Sequence, residues 1–325
     1  MNWPDRLNGW RVRWAIGRMG YWVKPRLYAA GNPTADSPVF VSANYKLSFD
    51  RLRAALAGID AWILVLDTNG INVWCAAGKG TFGTDELTRR VETTRLAEVV
   101  SHRRLIVPQL GAPGVAAHDV RRRTGFRVVY GPVRAADLPA FVRANMNATP
   151  AMRRVEFNVR DRLAVVPVEL VMSVKYVLLV VVALLLLSGF GSDGYAVARV
   201  ASRGLISAGL FLAAVVGGTA LGPLLLPWLP GRALSAKGAW IGVAMAAGLG
   251  AWVLLGAAET PHWLTLVAWA IVLPLTTSFA LMNFTGATTY TSLSGVRREM
   301  RVAMPLQAIA AVVGAVLWIA AGFVS

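Results

Sequence analysis

Five long apolar runs fill the second half of the chain. They cover residues 166–188, 204–229, 238–257, 262–283 and 302–324. Each is close to the roughly 20 apolar residues that an α-helix needs to cross a bilayer core. A mean hydropathy of +0.53 and 56% hydrophobic residues are also too apolar for an ordinary water-soluble chain of 325 residues. The sequence therefore predicts an all-α membrane domain of five transmembrane helices over residues 166–325.

Positive charge is distributed unevenly over the connections between these runs. The side shared with the basic N-terminal half carries Arg232, Lys237, Arg297, Arg298 and Arg301, and the other side carries Arg199 and Arg203. Lys and Arg are in excess in cytoplasmic loops. We therefore expect a multi-pass protein of the cytoplasmic (inner) membrane, with the N-terminal domain in the cytoplasm and the C-terminus outside.

The first 32 residues combine tryptophan with arginine. Trp3, Leu7, Trp10 and Trp14 recur at helical spacing among Arg6, Arg11, Arg13 and Arg18. This pattern predicts a basic, Trp-rich amphipathic segment over residues 1–32 that lies in a membrane interface. The formal net charge of +16 comes without any nucleic-acid-binding motif. The lipid bilayer is therefore the expected partner of this charge, and nucleic acid is not.

Short β-rich runs alternate with helical patterns between residues 38 and 145. The runs at 39–42, 62–66, 105–107 and 127–130 are apolar and bounded by polar, Gly or Pro residues, as buried parallel strands are. The segments around 48–57, 84–100, 114–123 and 135–144 fit the helices between and after them. The sequence predicts an α/β domain with a mostly parallel sheet over residues 33–150, followed by a juxtamembrane linker over 151–165.

Ligands of such sheets bind beyond the carboxyl ends of the strands. Those ends carry Asn44, Thr68, Gly111 and Gly131 in loops rich in Gly and Pro. Small, rigid loops approach a large planar cofactor closely, but plain turns use the same residues. The loops alone leave both interpretations open.

The single cysteine, Cys75, lies in the segment from Asn72 to Leu87. One interpretation is a dinucleotide site, because Gly78, Gly80 and Gly83 match GxGxxG, but about ten residues separate them from the preceding strand. A second is an inert buried thiol. A third is a metal ligand on a short helical turn, with Lys79 one turn beyond it to favour the thiolate. One thiolate does not hold a bare ion, so that metal arrives already chelated by a macrocycle.

The stretch Asn72-Val-Trp-Cys-Ala-Ala-Gly-Lys79 resembles the signature of the HgcA family, the corrinoid proteins of microbial mercury methylation. Similarity extends through the Asn44, Asp67 and Gly131 loops to the five membrane spans. The soluble domain is also similar to the corrinoid-binding domain of the corrinoid iron–sulfur protein of acetyl-CoA synthesis. These resemblances imply an α/β Rossmann-like corrinoid-binding domain followed by the five-helix membrane domain.

The resemblance also implies a cofactor and a reaction. A cobalamin-type corrinoid would bind base-off and Cys-on, with the Cys75 thiolate as lower axial cobalt ligand, Asn72 positioning the helix and Trp74 walling the cofactor. The implied cofactor-binding residues are Asn72, Val73, Trp74, Cys75, Ala76, Ala77, Gly78 and Lys79, together with Asn44, Thr68, Gly111 and Gly131. The implied activity is that of a methyltransferase that passes a methyl group from cobalt to Hg(II) and forms methylmercury. The alternative is a membrane-tethered corrinoid or dinucleotide-binding protein that acts on another acceptor or in one-carbon metabolism.

A chain with one cysteine holds no cysteine-ligated iron–sulfur cluster. The family resemblance therefore implies an HgcB-like ferredoxin partner carrying 4Fe-4S clusters. Residues 283–292 form one further polar run that includes Thr285 and Thr289. This run is interpreted either as a cytoplasmic loop or as a membrane-domain surface that faces the corrinoid domain or forms a route for the mercury complex.

Overall fold

The computed structural model describes residues 3–256, 261–284 and 293–324. The chain forms two compact units, residues 1–156 and residues 157–325. We call them the sheet domain and the helical domain. The run from 283 to 292, with Thr285 and Thr289, falls mostly on residues 285–292, which lie outside the described residues.

The sheet domain is a mixed five-stranded sheet with helices on both faces. Its strands are β1 (Leu27–Ala30), β2 (Val39–Ala43), β3 (Ala61–Leu66), β4 (Arg104–Val107) and β5 (Arg127–Tyr130). Its helices are α1 (Trp3–Arg13), α2 (Lys46–Ala55), α3 (Val73–Lys79), α4 (Thr84–Thr93), α5 (Leu96–Val99), α6 (Ala117–Thr124) and α7 (Leu138–Arg143). The strand order is β1-β3-β2-β4-β5, in which β1 is antiparallel to β3 and the other neighbours are parallel.

Alternation along the strands separates two cores, because successive side chains of a strand point to opposite faces. Val39 and Val41 of β2 pack in one core with residues of α3, α4 and α6. Phe40 of β2 packs in the other with residues of α2 and α7. All five residues of β2 are buried. A strand covered on both faces reads as a continuous apolar run, which is why its sequence predicted it.

The four predicted strands are present, and two features differ from the sequence-based expectation. The sheet has an additional edge strand, β1, whose sequence Leu-Tyr-Ala-Ala carries two residues with little strand preference. The single helix expected over 84–100 is divided into α4 and α5. Arg95 between them adopts a left-handed conformation with φ of 48°, which interrupts the helical hydrogen bonds.

The helical domain contains α8 (Val159–Leu163), α9 (Val166–Ser188), α10 (Val197–Arg199), α11 (Leu205–Val216), α12 (Gly222–Leu225), α13 (Leu234–Leu254), α14 (Trp263–Met282) and α15 (Leu293–Val324). A short hairpin pairs Phe190–Gly191 with Gly194–Tyr195. The π-helical turns Val200–Gly204 and Gly217–Leu221 join α10, α11 and α12 into one continuous helix.

Five described helices are long and apolar enough to cross a membrane. They are Val159–Ser188, Val197–Leu225, Leu234–Leu254, Trp263–Met282 and Gly295–Val324. Each overlaps one of the five predicted spans. Their length and composition indicate a membrane protein.

Candidate functional site

Helix α3 lies at the carboxyl edge of the parallel strands. It packs against β2 and against the 3-10 turn Gln109–Gly111 that follows β4. Strand β2 has β3 on one side and β4 on the other, so the connections that leave β2 and β4 diverge. In open α/β sheets such a divergence creates the crevice in which ligands bind. The helix that carries Cys75 therefore occupies the expected ligand position of this sheet.

The two ends of α3 are fixed by local chemistry. Asn72 is the N-cap, and its side-chain oxygen accepts the backbone N–H of Cys75 at 2.9 Å. At the other end, Gly80 adopts a left-handed conformation with φ of 83°, which ends the helix at little steric cost. A helix of seven residues is too short to be stable alone, so these caps and its packing hold it in place.

The two faces of α3 differ in character. Ala76 and Ala77 are buried against the sheet domain core. Trp74 and Gly78 are exposed on the outer face, and Cys75 beside them is half-buried with a free thiol. A Cβ atom added at Gly78 would meet no atom within 4 Å. The outer face thus offers a thiol, an indole and an open surface one turn from the thiol.

Val73 and Lys79 complete the predicted signature on α3. Val73 packs against the core at the start of the helix. Lys79 is exposed in its last turn, where a cation complements the negative end of the helix dipole.

Asn44 and Thr68 are a buried, hydrogen-bonded pair in the loops that follow β2 and β3. The side-chain oxygen of Asn44 accepts from the backbone N–H of Thr68 at 3.2 Å and of Gly70 at 2.9 Å. The Thr68 hydroxyl lies 2.8 Å from the same oxygen and 2.7 Å from the Ile71 carbonyl oxygen. Both side chains are buried and engaged within the protein. The resemblance implied that they bind the cofactor, and this stays a prediction. In the structure their hydrogen bonds fix the loop that leads into Asn72.

Gly111 and Gly131 allow close approaches at the same edge. A Cβ at Gly111 would lie 2.4 Å from Cε1 of Phe82. The Gly131 amide donates to the Val107 carbonyl oxygen at 2.9 Å, and a Cβ there would lie 3.2 Å from Cγ2 of Ile106. Both glycines are buried, so they set the packing of the loops around the crevice.

Glu86 is a supporting residue that the sequence did not select. Its carboxylate accepts the backbone N–H of Asp67 at 2.7 Å and the Arg90 guanidinium at 2.8 Å, and it also pairs with Arg89. Burial opposes ionisation, but the hydrogen bonds from Asp67, Arg90 and Arg89 outweigh it and hold the pKa of Glu86 below its usual value. The carboxylate therefore ties α4 to the loop that follows β3. Its position in the first turn of a helix after a glycine-rich segment was the only sequence signal.

Gly114 is a second residue that sequence reasoning passed over. A Cβ there would lie 2.2 Å from the Phe82 carbonyl oxygen and 3.2 Å from Cα of Ala77. Its own carbonyl oxygen accepts the backbone N–H of Thr84 at 3.1 Å. The loop after β4 is therefore closed against α3 and the turn behind it.

The dinucleotide interpretation does not fit this geometry. The fingerprint needs its first glycine in a tight turn directly after a strand and its pyrophosphate at the N-terminus of the next helix. Gly78 instead lies inside α3, well beyond the end of β3 at Leu66, and Gly83 precedes α4. Asp85 and Glu86 in the first turn of α4 would repel a pyrophosphate.

A bare metal ion does not fit the described part of the chain either. Among the described residues no group of three or more His, Cys, Asp or Glu side chains is placed to hold one. Cys75 alone supplies one soft ligand. A metal bound there would need its other ligands from a chelating group.

Part of the sheet domain is similar to a known protein family. Residues 17–142 match the family model described as CO dehydrogenase/acetyl-CoA synthase delta subunit. Residues 17–142 are therefore similar to a domain of this family. The match covers β1 to β5 and the whole of α3, so it includes the helix that carries Cys75 and the strands beside it.

Curated relatives show the same relationship. Acetyl-CoA decarbonylase/synthase complex subunit gamma of Methanopyrus kandleri is 34% identical over 122 residues, which are 37% of this chain and 26% of the relative. The corresponding subunit of Archaeoglobus fulgidus is 32% identical over 125 residues, 38% of this chain and 26% of the relative. The corrinoid/iron-sulfur protein large subunit of Moorella thermoacetica is 29% identical over 126 residues, 38% of this chain and 28% of the relative.

The chain spans only about a quarter of the length of these relatives. The shared part is the family domain, which is related to the large subunit of a corrinoid/iron-sulfur protein. The relationship therefore describes the type of the domain, and leaves the acceptor of any transferred group to be argued from the site.

Proposed function

We propose that this chain is a corrinoid-dependent methyltransferase that transfers a methyl group from cobalt to Hg(II) and so forms methylmercury. The observation that carries the proposal is the half-buried Cys75 thiol on the outer face of a capped helix at the carboxyl edge of the sheet. The family domain supports the cofactor class. The signature from Asn72 to Lys79 supports mercury as the acceptor.

The residues of α3 fit a corrinoid. A large planar ring needs an open, partly apolar surface around the thiol that would bind its metal from below. Trp74 and the side-chain-free Gly78 flank Cys75 on that surface, and nothing lies within 4 Å of a Cβ at Gly78. When bound, the corrinoid would supply a cobalt centre that carries a methyl group. Cys75 would be its lower axial ligand, in a base-off, Cys-on arrangement on the Rossmann-like domain.

Each protein group then has a defined task. The thiolate of Cys75 would hold the metal and donate electron density to it, and the corrinoid would supply the methyl group for transfer to Hg(II). Asn72 holds the Cys75 backbone by its cap, and Asn44 and Thr68 hold the loop before it. Glu86 fixes the start of that loop through the Asp67 amide. Trp74 would wall one side of the cofactor.

The electron supply and the location belong to the same proposal. The single cysteine is assigned to the metal, and so an HgcB-like ferredoxin with 4Fe-4S clusters supplies the electrons that restore the cofactor. Five helices of membrane-spanning length support a location in a membrane, which in this proposal is the cytoplasmic membrane. The charge of the connections orients the sheet domain to the cytoplasm, where a ferredoxin reaches it.

The experiment uses the full chain, purified anaerobically and loaded with corrinoid. We expect a corrinoid absorption spectrum, and methylmercury from isotopically enriched Hg(II) when the reduced ferredoxin and a methylated cofactor are present. Cys75 is the only thiol, so alkylation before loading, with removal of the reagent, must abolish the thiolate-dependent part of the spectrum. The same treatment of Cys75→Ala is the control and must change nothing. A wild-type spectrum that alkylation leaves unaltered would refute the axial thiolate.

A second candidate acceptor is favoured by the names of the relatives. Those names refer to acetyl-CoA complexes, and the family domain alone is compatible with methyl transfer to a different acceptor. A protein that binds corrinoid through Cys75 but produces no methylmercury with reduced ferredoxin would support this second function.

A further inference from the structure

Helix α1 presents a tryptophan face that the fold leaves uncovered. At 100° per residue, Trp3, Leu7, Trp10 and Trp14 fall within an arc of roughly 60°. Trp3 is 68% exposed and Trp10 70% exposed, and Leu7 and Trp14 are also exposed. The Trp14 amide still donates to the Trp10 carbonyl oxygen at 3.3 Å, so the helical geometry reaches this residue. We call these four side chains the tryptophan face.

The opposite side of α1 is fixed to the sheet domain. Asp5 forms ion pairs with Lys46 at 2.9 Å and with Arg53 at 2.8 Å, both on α2. Val12 on the same side is only 2% exposed, and a Cβ at Gly9 would touch Leu47 at 3.5 Å. The orientation of the tryptophan face is therefore set by contacts of the folded domain.

The segment after α1 strengthens this attachment. The Val23 amide donates to the Asn44 carbonyl oxygen at 2.8 Å, and the Lys46 amide donates to the Tyr21 carbonyl oxygen at 3.0 Å. These bonds pair the segment with the residues that immediately follow β2.

We propose that the tryptophan face inserts at the headgroup level of an anionic lipid bilayer. Indole rings favour this level because they join an apolar body to an N–H donor. Arg11 and Arg13 lie on the two flanks of the face, each roughly 80° from its centre, where they meet anionic headgroups. The side turned away from the face carries Asp5, which is already paired within the domain. Charge and apolar surface thus match a lipid surface.

Covalent linkage to a membrane domain raises the occupancy of such a contact even when its intrinsic affinity is low. The sheet domain is joined in sequence to apolar helices of membrane-spanning length. A tethered face meets the bilayer at a high effective concentration, so even a weak interfacial contact is populated. This inference does not depend on the identity of the cofactor or of the methyl acceptor.

The test uses the full chain in lipid nanodiscs, with Cys75→Ala as a background that removes the native thiol. Trp10→Cys is labelled with an environment-sensitive fluorophore, and Glu92→Cys is the matched control at an exposed position on α4. Discs are prepared from phosphatidylcholine with or without phosphatidylglycerol, and with doxyl-labelled lipid as the quencher. We expect a blue-shifted emission and at least twofold quenching at position 10, little quenching at position 92, and deeper quenching with phosphatidylglycerol.

Three results would overturn the proposal. Quenching at position 10 that does not exceed that at position 92 would exclude insertion. Equal quenching with and without phosphatidylglycerol would exclude recognition of anionic lipid. A blue shift that needs an added ferredoxin would make the tryptophan face a protein-binding surface.

Discussion

The side chain of Asn72 holds the backbone of Cys75: its amide oxygen accepts the Cys75 N–H at 2.9 Å. The residue proposed to bind the metal is thus oriented by the residue that begins its helix. Asn72→Ala removes this cap, which costs a helix about 1 kcal/mol. We expect corrinoid affinity to fall roughly fivefold, since that is the binding equivalent of 1 kcal/mol.

Equilibrium dialysis of corrinoid against the full chain measures this change. Asn72→Asp is the matched control, because aspartate also accepts the amide hydrogen as an N-cap. An affinity of Asn72→Ala equal to that of wild type would show that the cap does not position the thiol.

Substitutions of Gly78 should affect helix stability and corrinoid binding in opposite directions. It lies inside α3 with open space where its Cβ would be, so Gly78→Ala gains helix propensity of about 1 kcal/mol. We expect hydrogen exchange of the α3 amides to slow while corrinoid affinity falls, because the new methyl group occupies the surface beside Cys75. Gly78→Leu should weaken binding further. Unchanged affinity in both variants would mean that the ring does not cover this position.

Gly114→Ala provides the contrasting case behind the same helix. The added methyl group would meet the Phe82 carbonyl oxygen at 2.2 Å, and backbone atoms do not move aside as a flexible side chain does. We expect a destabilisation of about 1–3 kcal/mol, as for other overpacked sites. Hydrogen exchange of α3 and the loop after β4 should accelerate, whereas Gly20→Ala, at a position with no neighbour within 4 Å, should leave it unchanged.

We expect the loop of residues 67–71 to become less ordered at low pH, when Glu86 is protonated. Its pKa is lowered in the folded protein by the Asp67 amide and the Arg90 and Arg89 guanidinium groups, against the effect of burial. A carboxyl group with a depressed pKa contributes stability above its unfolded value of about 4.3, and this contribution is lost as pH falls through the folded pKa. Exchange rates of the 67–71 amides should therefore rise at pH below about 4 once corrected for intrinsic chemistry.

Two variants on α4 test whether Glu86 causes this loss of order at low pH. Glu86→Gln should exchange faster at neutral pH and lose the additional acid-induced rise, because glutamine does not titrate. Glu92→Gln, at an exposed position of α4, should behave as wild type. An acid profile of Glu86→Gln identical to that of wild type would assign the loosening to other carboxyl groups.

The sequence predicted those features of the fold that depend on neighbouring residues in the chain. The strands at 39–42 and 62–66 are buried on both faces, so their apolar runs were sufficient to identify them. The edge strand at Leu27–Ala30 has no such run, and its pairing with β3 depends on contacts distant in sequence. The family resemblance implied that Asn72 positions a helix, and in the structure it is the N-cap of α3.

Roles that depend on contacts between residues far apart in the sequence could not be predicted from the sequence. Asn44 and Thr68 were selected as cofactor-binding residues, and that role stays a prediction, but the hydrogen bond between these residues 24 positions apart is seen only in the structure. Glu86 contacts a backbone amide 19 positions away, and Gly114 approaches Ala77 across two loops. No periodicity or short motif records such a contact.

Two substitutions of Cys75 distinguish the metal ligand from a merely structural thiol. Cys75→Ala leaves the buried face of α3 intact, since Ala76 and Ala77 form that face. We expect it to lose methylmercury formation and the thiolate-dependent absorption without unfolding. Cys75→His offers an imidazole, which donates less electron density than a thiolate. We therefore expect this variant to keep corrinoid but to form methylmercury at least tenfold more slowly in the assay with reduced ferredoxin. Wild-type activity in Cys75→Ala would exclude the axial-ligand role, and wild-type activity in Cys75→His would show that sulfur itself is dispensable.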